Sequence, residues 1–482
     1  MTIVSLLDEL VNALLKAEGT FLDNPKDFNS LEKSVKASTE SFAAEFLGKV
    51  LSSVNEQICK SSYRIGRYTI QRNDKRKIIS SVGDITFDCT YFKRCADGGY
   101  TYLLEDMIGL SRNERFTEEA EVMLLTEALK TSYEEATKVL PSKQRITKTT
   151  VMNKIHQLAE EMPYEGPEEL KETDYLFIEA DEDHVAEQHG DNDKDNKSFI
   201  SKLIYVYEYK RDVPGHKSRK ELVNKFYFSG LYPGKEGNEK LWGKVSDYIN
   251  KTYDVSKIKR VFISGDGALW IKGGIHYIEN SLYCADKYHL MQYVNQAAGQ
   301  MLDEKEIVKQ ELWHLLHSKK SKAKKRFDEY TNEMMKSAKK TEPIETLRSY
   351  VLGNWSAVRR TLENKFVSGC SAESHVSHVL SDRLSSRPMG WSQTGADRMS
   401  KLRCYERNYG REGIIDFVRY SREHRLLEAT GTEDIPVQEI STGEIIAEHY
   451  DQSRSYIERI QARMPGLTSR KILRIRNHLS GL

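Results

Sequence analysis

Asp266 sits between two glycines at the end of an apolar, β-branched run, VFISGDGALW at Val261 to Trp270. A strand that stops on a carboxylate, with glycines that let the backbone turn and approach a ligand closely, presents an acid for chemistry. A second acidic stretch, YLFIEADEDHV at Tyr175 to Val185, reads as another strand. Its period of two puts Phe177, Glu179, Asp181 and Asp183 on one face and Leu176, Ile178 and Ala180 on the other. Carboxylates this crowded repel one another unless a cation or shared protons neutralise them, and the competing reading is a hydrated strand end. The third acid is Glu373, in CSAESHVSHVLSDRL. Val376, Leu380 and Leu384 follow it at helical spacing, so Glu373 is expected to continue the stripe that faces the sheet, with Ser371 capping the helix. A buried ion pair to Arg383 or Arg387 is its alternative role.

No local spacing joins Asp181, Asp266 and Glu373, so only a fold can bring them together. Oxygen ligation with no compulsory His or Cys favours magnesium, with manganese as a substitute. Two such ions would activate an attacking hydroxyl and stabilise the leaving oxygen of a phosphodiester.

The elements that must position these acids come from a chain of 482 residues, long enough for roughly three domains. With 39% hydrophobic and 30% charged residues it reads as globular, and no apolar run reaches membrane-spanning length. Asp8 and Glu9 interrupt the N-terminal apolar pattern, which argues against a signal peptide. The six cysteines contain no C-x-x-C pair, so neither a disulfide framework nor a zinc ribbon is indicated and a reducing compartment is expected. A net charge of +1 carries no global nucleic-acid signal, but KKSKAKKR at Lys319 to Arg326 and SRKILRIRNH at Ser469 to His478 are locally basic. Each is either a phosphate grip or a solvated helix face.

Residues 1–60 have helical periodicity, and 61–110 alternate as a small antiparallel β region with turn signals at Asn73-Asp74 and Gly83-Asp84. Residues 111–165 have a helix-turn-helix layout, with plain helical packing as the other reading. A helix from Tyr133 to Leu140 breaks at Pro141, and Thr147 caps a second that presents Lys148, Thr149, Asn153 and Lys154, with Arg145 just before it. From residue 170 the order is three strands, a helix, a strand, a connection, a strand and a helix. That is the order of a ribonuclease-H-like α/β core with a mixed five-stranded sheet, here over 170–302 and 351–427. The charged helical stretch 303–350 reads as an insertion, and 428–482 as a linker with basic C-terminal helices.

The segments IEADEDHV, ISGDGALWIK, CADKYHLMQYV and GCSAESHVSHVLSDRLSSRPMGWS resemble the DDE transposases of the bacterial ISLre insertion-sequence group, related to the Mutator-like transposases. The resemblance covers most of the chain and is most specific from Gly369 to Ser392. It implies that Asp181, Asp266 and Glu373 are the catalytic, metal-binding acids. Asp286 and His289 match an Asp-x-x-His element, whose histidine either orders DNA or the active-site loop or packs in the core. Glu182 stands where many relatives have glycine, which leaves Asp183 as the rival to Asp181. The resemblance further implies cleavage and strand transfer of DNA on two Mg2+ (or Mn2+) ions. The N-terminal regions would bind terminal inverted repeats, and Lys319, Lys320, Lys324, Lys325 and Arg326 would grip phosphates. A homodimer or higher oligomer on terminal-repeat and target DNA is expected, in the bacterial cytoplasm at the nucleoid and without a membrane partner. A ribonuclease-H-like nuclease without strand transfer and a catalytically silent DNA-binding repressor are the alternatives.

Overall fold

The computed structural model describes residues 3–188, 197–215, 220–301, 304–367, 369–387 and 389–430. The basic stretch at 469–478 and nearly all of the expected linker and tail at 428–482 lie outside the described residues. The chain divides into two compact units, one formed by residues 1–159 with the chain from Ile415, the other by Glu160–Ile414. No helix among the described residues is long and apolar enough to cross a membrane.

In the first unit, helices α1 (Ile3–Asp23) and α2 (Phe28–Lys60) pack together, and α2 lies on a three-stranded antiparallel sheet of β1 (Tyr68–Ser80), β2 (Gly83–Arg94) and β3 (Tyr100–Thr101). Ile58, Ile78, Ile85, Phe87 and Phe92, with Leu103 and Leu104 of α3 (Leu103–Met107), form its core. The turn expected at Asn73-Asp74 is absent, and β1 runs straight through both residues. Side chains hold them in the ladder: the Tyr102 hydroxyl donates to Asp74 at 2.7 Å and the Thr90 hydroxyl to Asn73 at 3.3 Å. The irregularity is instead a bulge between Ile70 and Arg72. Three mutually packed helices follow, α4 (Glu118–Ala128), α5 (Tyr133–Ala136) and α6 (Lys148–His156), each capped by a hydroxyl side chain, Thr117, Ser132 and Thr147 respectively.

The second unit is built on β4 (Tyr175–Ala186), β5 (Ser198–Tyr207), β8 (Phe226–Gly230), β9 (Arg260–Gly265) and β10 (Ser281–Ala285), in the spatial order β10-β9-β4-β5-β8. Strands β4, β9 and β10 run parallel, while β5 is antiparallel to both β4 and β8. Leu176, Ile178 and Ala180 of β4 do face an apolar core, shared with Ile204, Val206, Val261 and Ile263 and with Trp242, Val245 and Ile249 of the crossover helix α7 (Gly234–Thr252). A small hairpin, β6 (Tyr209–Asp212) with β7 (Lys220–Val223), leaves the sheet between β5 and β8 and has no counterpart in the sequence reading.

Short helix α8 (Leu269–Lys272) follows β9, and α9 (Lys287–Ala298) follows β10. Next come α10 (Lys305–His317), α11 (Ala323–Ser337), α12 (Glu342–Gly353) and α13 (Trp355–Glu363). Their buried Leu312, Leu316, Phe327, Leu347, Val351 and Val358 belong to the same core cluster as the sheet. Trp355 packs against Phe327, ring centroids 6.1 Å apart. The unit closes with α14 (Ala372–Val376), a π-helical turn Ser377–Ser381, α15 (Asp382–Leu384) and α16 (Gln393–Thr430), whose Gly410 has non-helical dihedrals.

Strands β4 and β9 approach so closely at Gly265 that a Cβ there would stand 2.7 Å from the Ala180 carbonyl oxygen and 2.8 Å from the Ile271 side chain. Gly265→Ala is therefore expected to cost about 1–3 kcal/mol, seen as a lower denaturation midpoint. Gly243→Ala, on α7 with open space around it, should not lower the midpoint.

Candidate active site

Strand register decides which side chains meet at the end of the sheet. Glu179 pairs with Ser264 across β4 and β9, and Gly265 pairs with Ala285 across β9 and β10. Continued past the last paired residues, these registers set Asp181, Asp266 and Asp286 side by side. Each accepts one main-chain N–H from the turn that follows it: Glu182 to Asp181 at 2.9 Å, Ala268 to Asp266 at 2.9 Å and Tyr288 to Asp286 at 2.7 Å. Gly267, with φ at +105°, makes the turn out of β9, and Tyr283, Tyr350 and Asn354 border it.

Burial, aided by the neighbouring charges of Asp266 and Asp286, pushes Asp181 up to about 6, against the pull of the Glu182 N–H and of His289. His289 shares a proton contact with the second Asp286 oxygen at 2.7 Å. That hydrogen bond first, and the acids around it, raise the histidine above its ordinary value despite burial. A cation-bearing ring thus stands beside three acids.

The remaining acids of β4 are occupied. Glu179, on the same face as Asp181, is buried and receives the Tyr207 hydroxyl at 2.6 Å, the Tyr205 hydroxyl, the Ser371 N–H at 2.6 Å, the Ser371 hydroxyl at 2.9 Å and the Lys210 ammonium at 3.0 Å. Burial opposes its charge, but Lys210 and these donors outweigh burial and hold it below the usual carboxylate range. Both oxygens of Asp183 accept the Ser385 hydroxyl, at 3.0 and 2.9 Å. Glu182 takes the Trp270 indole N–H at 2.7 Å, which gives a role to the residue found where many relatives have glycine.

Glu373 does not point inward as expected; it is exposed in the first turn of α14, while Val376, Leu380 and Leu384 are buried. The π-helical turn after Val376 rotates the later residues out of line with Glu373, so the 3.6-residue stripe does not extend back to it. Nor does Ser371 cap the helix with its side chain, because its hydroxyl is committed to Glu179. Arg383 lies over the Trp391 ring, 4.6 Å from its centroid. Helix α14 nevertheless packs on β4, and its start is tied to Glu179, two residues before Asp181. Among the described residues no group of three or more His, Cys, Asp or Glu is assembled closely enough to hold a metal ion. The donor set itself suits a hard divalent ion: oxygen ligands only, with like charges at Asp181 and Asp266 that a cation would offset.

In the first unit Arg145, Lys148, Thr149 and Asn153 are exposed at and before the start of α6. Lys154, expected on that presented face, is buried and bonded to Glu114 at 2.6 Å and Glu121 at 3.1 Å. Glu121 also binds Arg422, so an ion cluster has captured this lysine for the core of the unit. Lys319, Lys320, Lys324, Lys325 and Arg326 are all exposed around the start of α11.

Two outcomes are expected. A carboxyl whose folded pKa is raised favours the fold below about pH 4 and loses that contribution as pH rises through about 6. Asp181→Asn should therefore stabilise the metal-free protein at pH 7.5 by about 1–3 kcal/mol, and by little at pH 4, as read from thermal melts. Lys154→Ala, which strips a cation from two buried acids, should destabilise by about 3 kcal/mol, whereas Lys148→Ala should leave the melting temperature unchanged.

Among known proteins, the chain is 34% identical over 391 residues to a UPF0236 protein of Caldanaerobacter subterraneus subsp. tengcongensis, covering 81% of this chain and 80% of that one. The name of that relative joins eleven locus designations. The UPF0236 protein in the vanSb 3′ region of Streptococcus gallolyticus is 22% identical over 407 residues, covering 81% of this chain and 85% of that one. A solved structure, the Drosophila P element transposase strand transfer complex, matches with 13% identity over 76% of this chain and 95% of that chain. Its TM-score of 0.22 is too low for any structural argument. The uncharacterised protein family UPF0236 matches residues 21–419, and the chain belongs to that family.

Proposed function

We propose that this protein is a DNA transposase of the DDE type, which binds the ends of an insertion sequence and catalyses their cleavage and strand transfer. The observation that carries the reading is the register of Asp181, Asp266 and Asp286 at the ends of three parallel strands. The sheet is the mixed five-stranded kind in which the second strand alone runs antiparallel and the fourth lies beside the first, the ribonuclease-H-like order. Further support comes from the resemblance of the catalytic segments to the ISLre group. The many loci named for one relative fit an element that copies itself within a genome.

Asp181, Asp266 and Glu373 would hold two magnesium ions, which when bound supply Lewis acidity to the attacking hydroxyl and the leaving oxygen of a phosphodiester. Asp181 is the better first ligand than Asp183, whose two oxygens are bound by Ser385. Asp286 and His289 act as a pair: the carboxylate fixes the ring, and the ring's proton offsets charge beside Asp181 and Asp266. In the first unit, the packed helices α4 to α6 serve as a helix-turn-helix, with Arg145, Lys148, Thr149 and Asn153 toward the terminal repeat. The exposed lysines from Lys319 to Lys325, with Arg326, contact phosphates without reading sequence. Joining two ends to one target calls for a dimer or higher assembly on DNA.

The test combines the protein, magnesium, a labelled element end and a target plasmid. Wild type should give joined product, and Asp266→Asn should keep end binding but lose joining by at least on the order of 100-fold. Cleavage without joining in wild type would make the protein a nuclease, and end binding with no chemistry a repressor.

A further inference from the structure

The acid that sequence spacing links most loosely to the others, Glu373, is delivered by a loop with two fixed points. Lys210 of β6 donates to the Gly369 carbonyl at 2.7 Å and pairs with Glu179 at 3.0 Å. Glu179 in turn receives the Ser371 N–H and hydroxyl, and the Tyr205 hydroxyl lies 3.1 Å from the Ser371 oxygen. One turn further on, the His375 ring stacks on Tyr205, centroids 4.3 Å apart, and its Nδ1 meets the Tyr227 hydroxyl at 2.7 Å. The segment Gly369–His375 is therefore pinned at its start, its middle and its end to residues of β5, β6 and β8 and to one carboxylate of β4.

We propose that Glu179 is the positioning residue of the active site: a buried carboxylate latch that holds Ser371, and with it Glu373, at the end of β4 where Asp181 stands. Glu179 has no lone pair left to serve as a ligand, because five polar contacts already converge on its two oxygens. Its place on the Asp181 face makes it a reference point rigid enough to set a neighbouring chain, since charge-assisted bonds inside a protein are short and strong. An exposed acid on a short helix has no packing of its own to fix it, so the latch does the fixing. The inference rests on the reading of Glu373 as a metal-binding acid.

The full chain is compared as wild type, Glu179→Gln, Ser371→Ala and Ser371→Thr. Hydrogen exchange of the metal-free protein is read over residues 369–376, and the Mn2+ concentration giving half of the maximal thermal stabilisation is measured alongside. Glu179→Gln should speed exchange in that segment and raise the half-saturating Mn2+ at least fivefold, with Kd for the DNA end unchanged. Ser371→Ala should do the same to a smaller degree, and Ser371→Thr, which keeps the hydroxyl, should return both readouts toward wild type. Should Glu179→Gln fail to fold, the Ser371 pair carries the comparison. Unchanged exchange and Mn2+ response in Glu179→Gln, or in both Ser371 variants, would overturn the latch. Absence of any Mn2+ stabilisation in wild type would instead sink the metal-site reading, and the exchange data would then report on the tether alone.

Discussion

Parallel strands that end together cannot keep their last side chains apart, and in this sheet those side chains are aspartates. The register of β4, β9 and β10 that buries Leu176, Ile178, Val261 and Ile263 also forces Asp181, Asp266 and Asp286 into one row. Sliding one strand by a residue to relieve the repulsion would turn its apolar set out of the core, which costs far more than the charges do. The repulsion is thus locked in by the packing. What mitigates it is local: one main-chain N–H for each acid and a proton on His289. Asp181 is left partly uncompensated, with its pKa near 6, which is a stability cost borne at the place where chemistry is proposed.

Three acids of one strand face meet three different fates, and their partners decide which. Glu179 is held ionised by a lysine, two tyrosine hydroxyls and Ser371, while Asp181, two residues away, is pushed the other way by burial beside like charges. Asp183, two residues further, is also raised by burial, but it is tied to Ser385. Strand alternation alone makes these positions equivalent. Only the groups supplied from β5, β6 and the segment around residues 371–385 separate the structural carboxylates from the one left open.

That division explains what was legible in the sequence. The strands and their order could be read because apolar alternation and turn residues are written into each of them, and Asp266 stands out through its flanking glycines. The β6–β7 hairpin could not be read, since its strands are charged and exposed and are held by pairs such as Arg211 with Glu221. Yet it supplies Lys210, without which Glu179 would be a buried charge with no counterion. The exposure of Glu373 escaped a 3.6-residue count because a π turn resets the helix phase after Val376. Lys154 looked like a DNA contact for want of knowing that Glu114 and Glu121 fold against it.

The helical stretch after α9 looks in sequence like an insertion, a lobe added between the second and third acids, but its packing argues for a deeper role. Strand β10 is an edge of the sheet, and an edge leaves carbonyls in need of donors. Helix α13 provides them: the Arg360 guanidinium donates to the Tyr283 carbonyl at 2.8 Å, and the Thr361 hydroxyl to the Ala285 carbonyl at 2.7 Å. Ala285 immediately precedes Asp286. Tyr350 of α12 and Asn354 border Gly267, next to Asp266, and α12 also packs on α9, the helix that carries His289. The stretch therefore closes the edge of the sheet and walls the turn beside the central aspartate. A chain without it would keep the acids in sequence and lose the surface that holds two of the three in register.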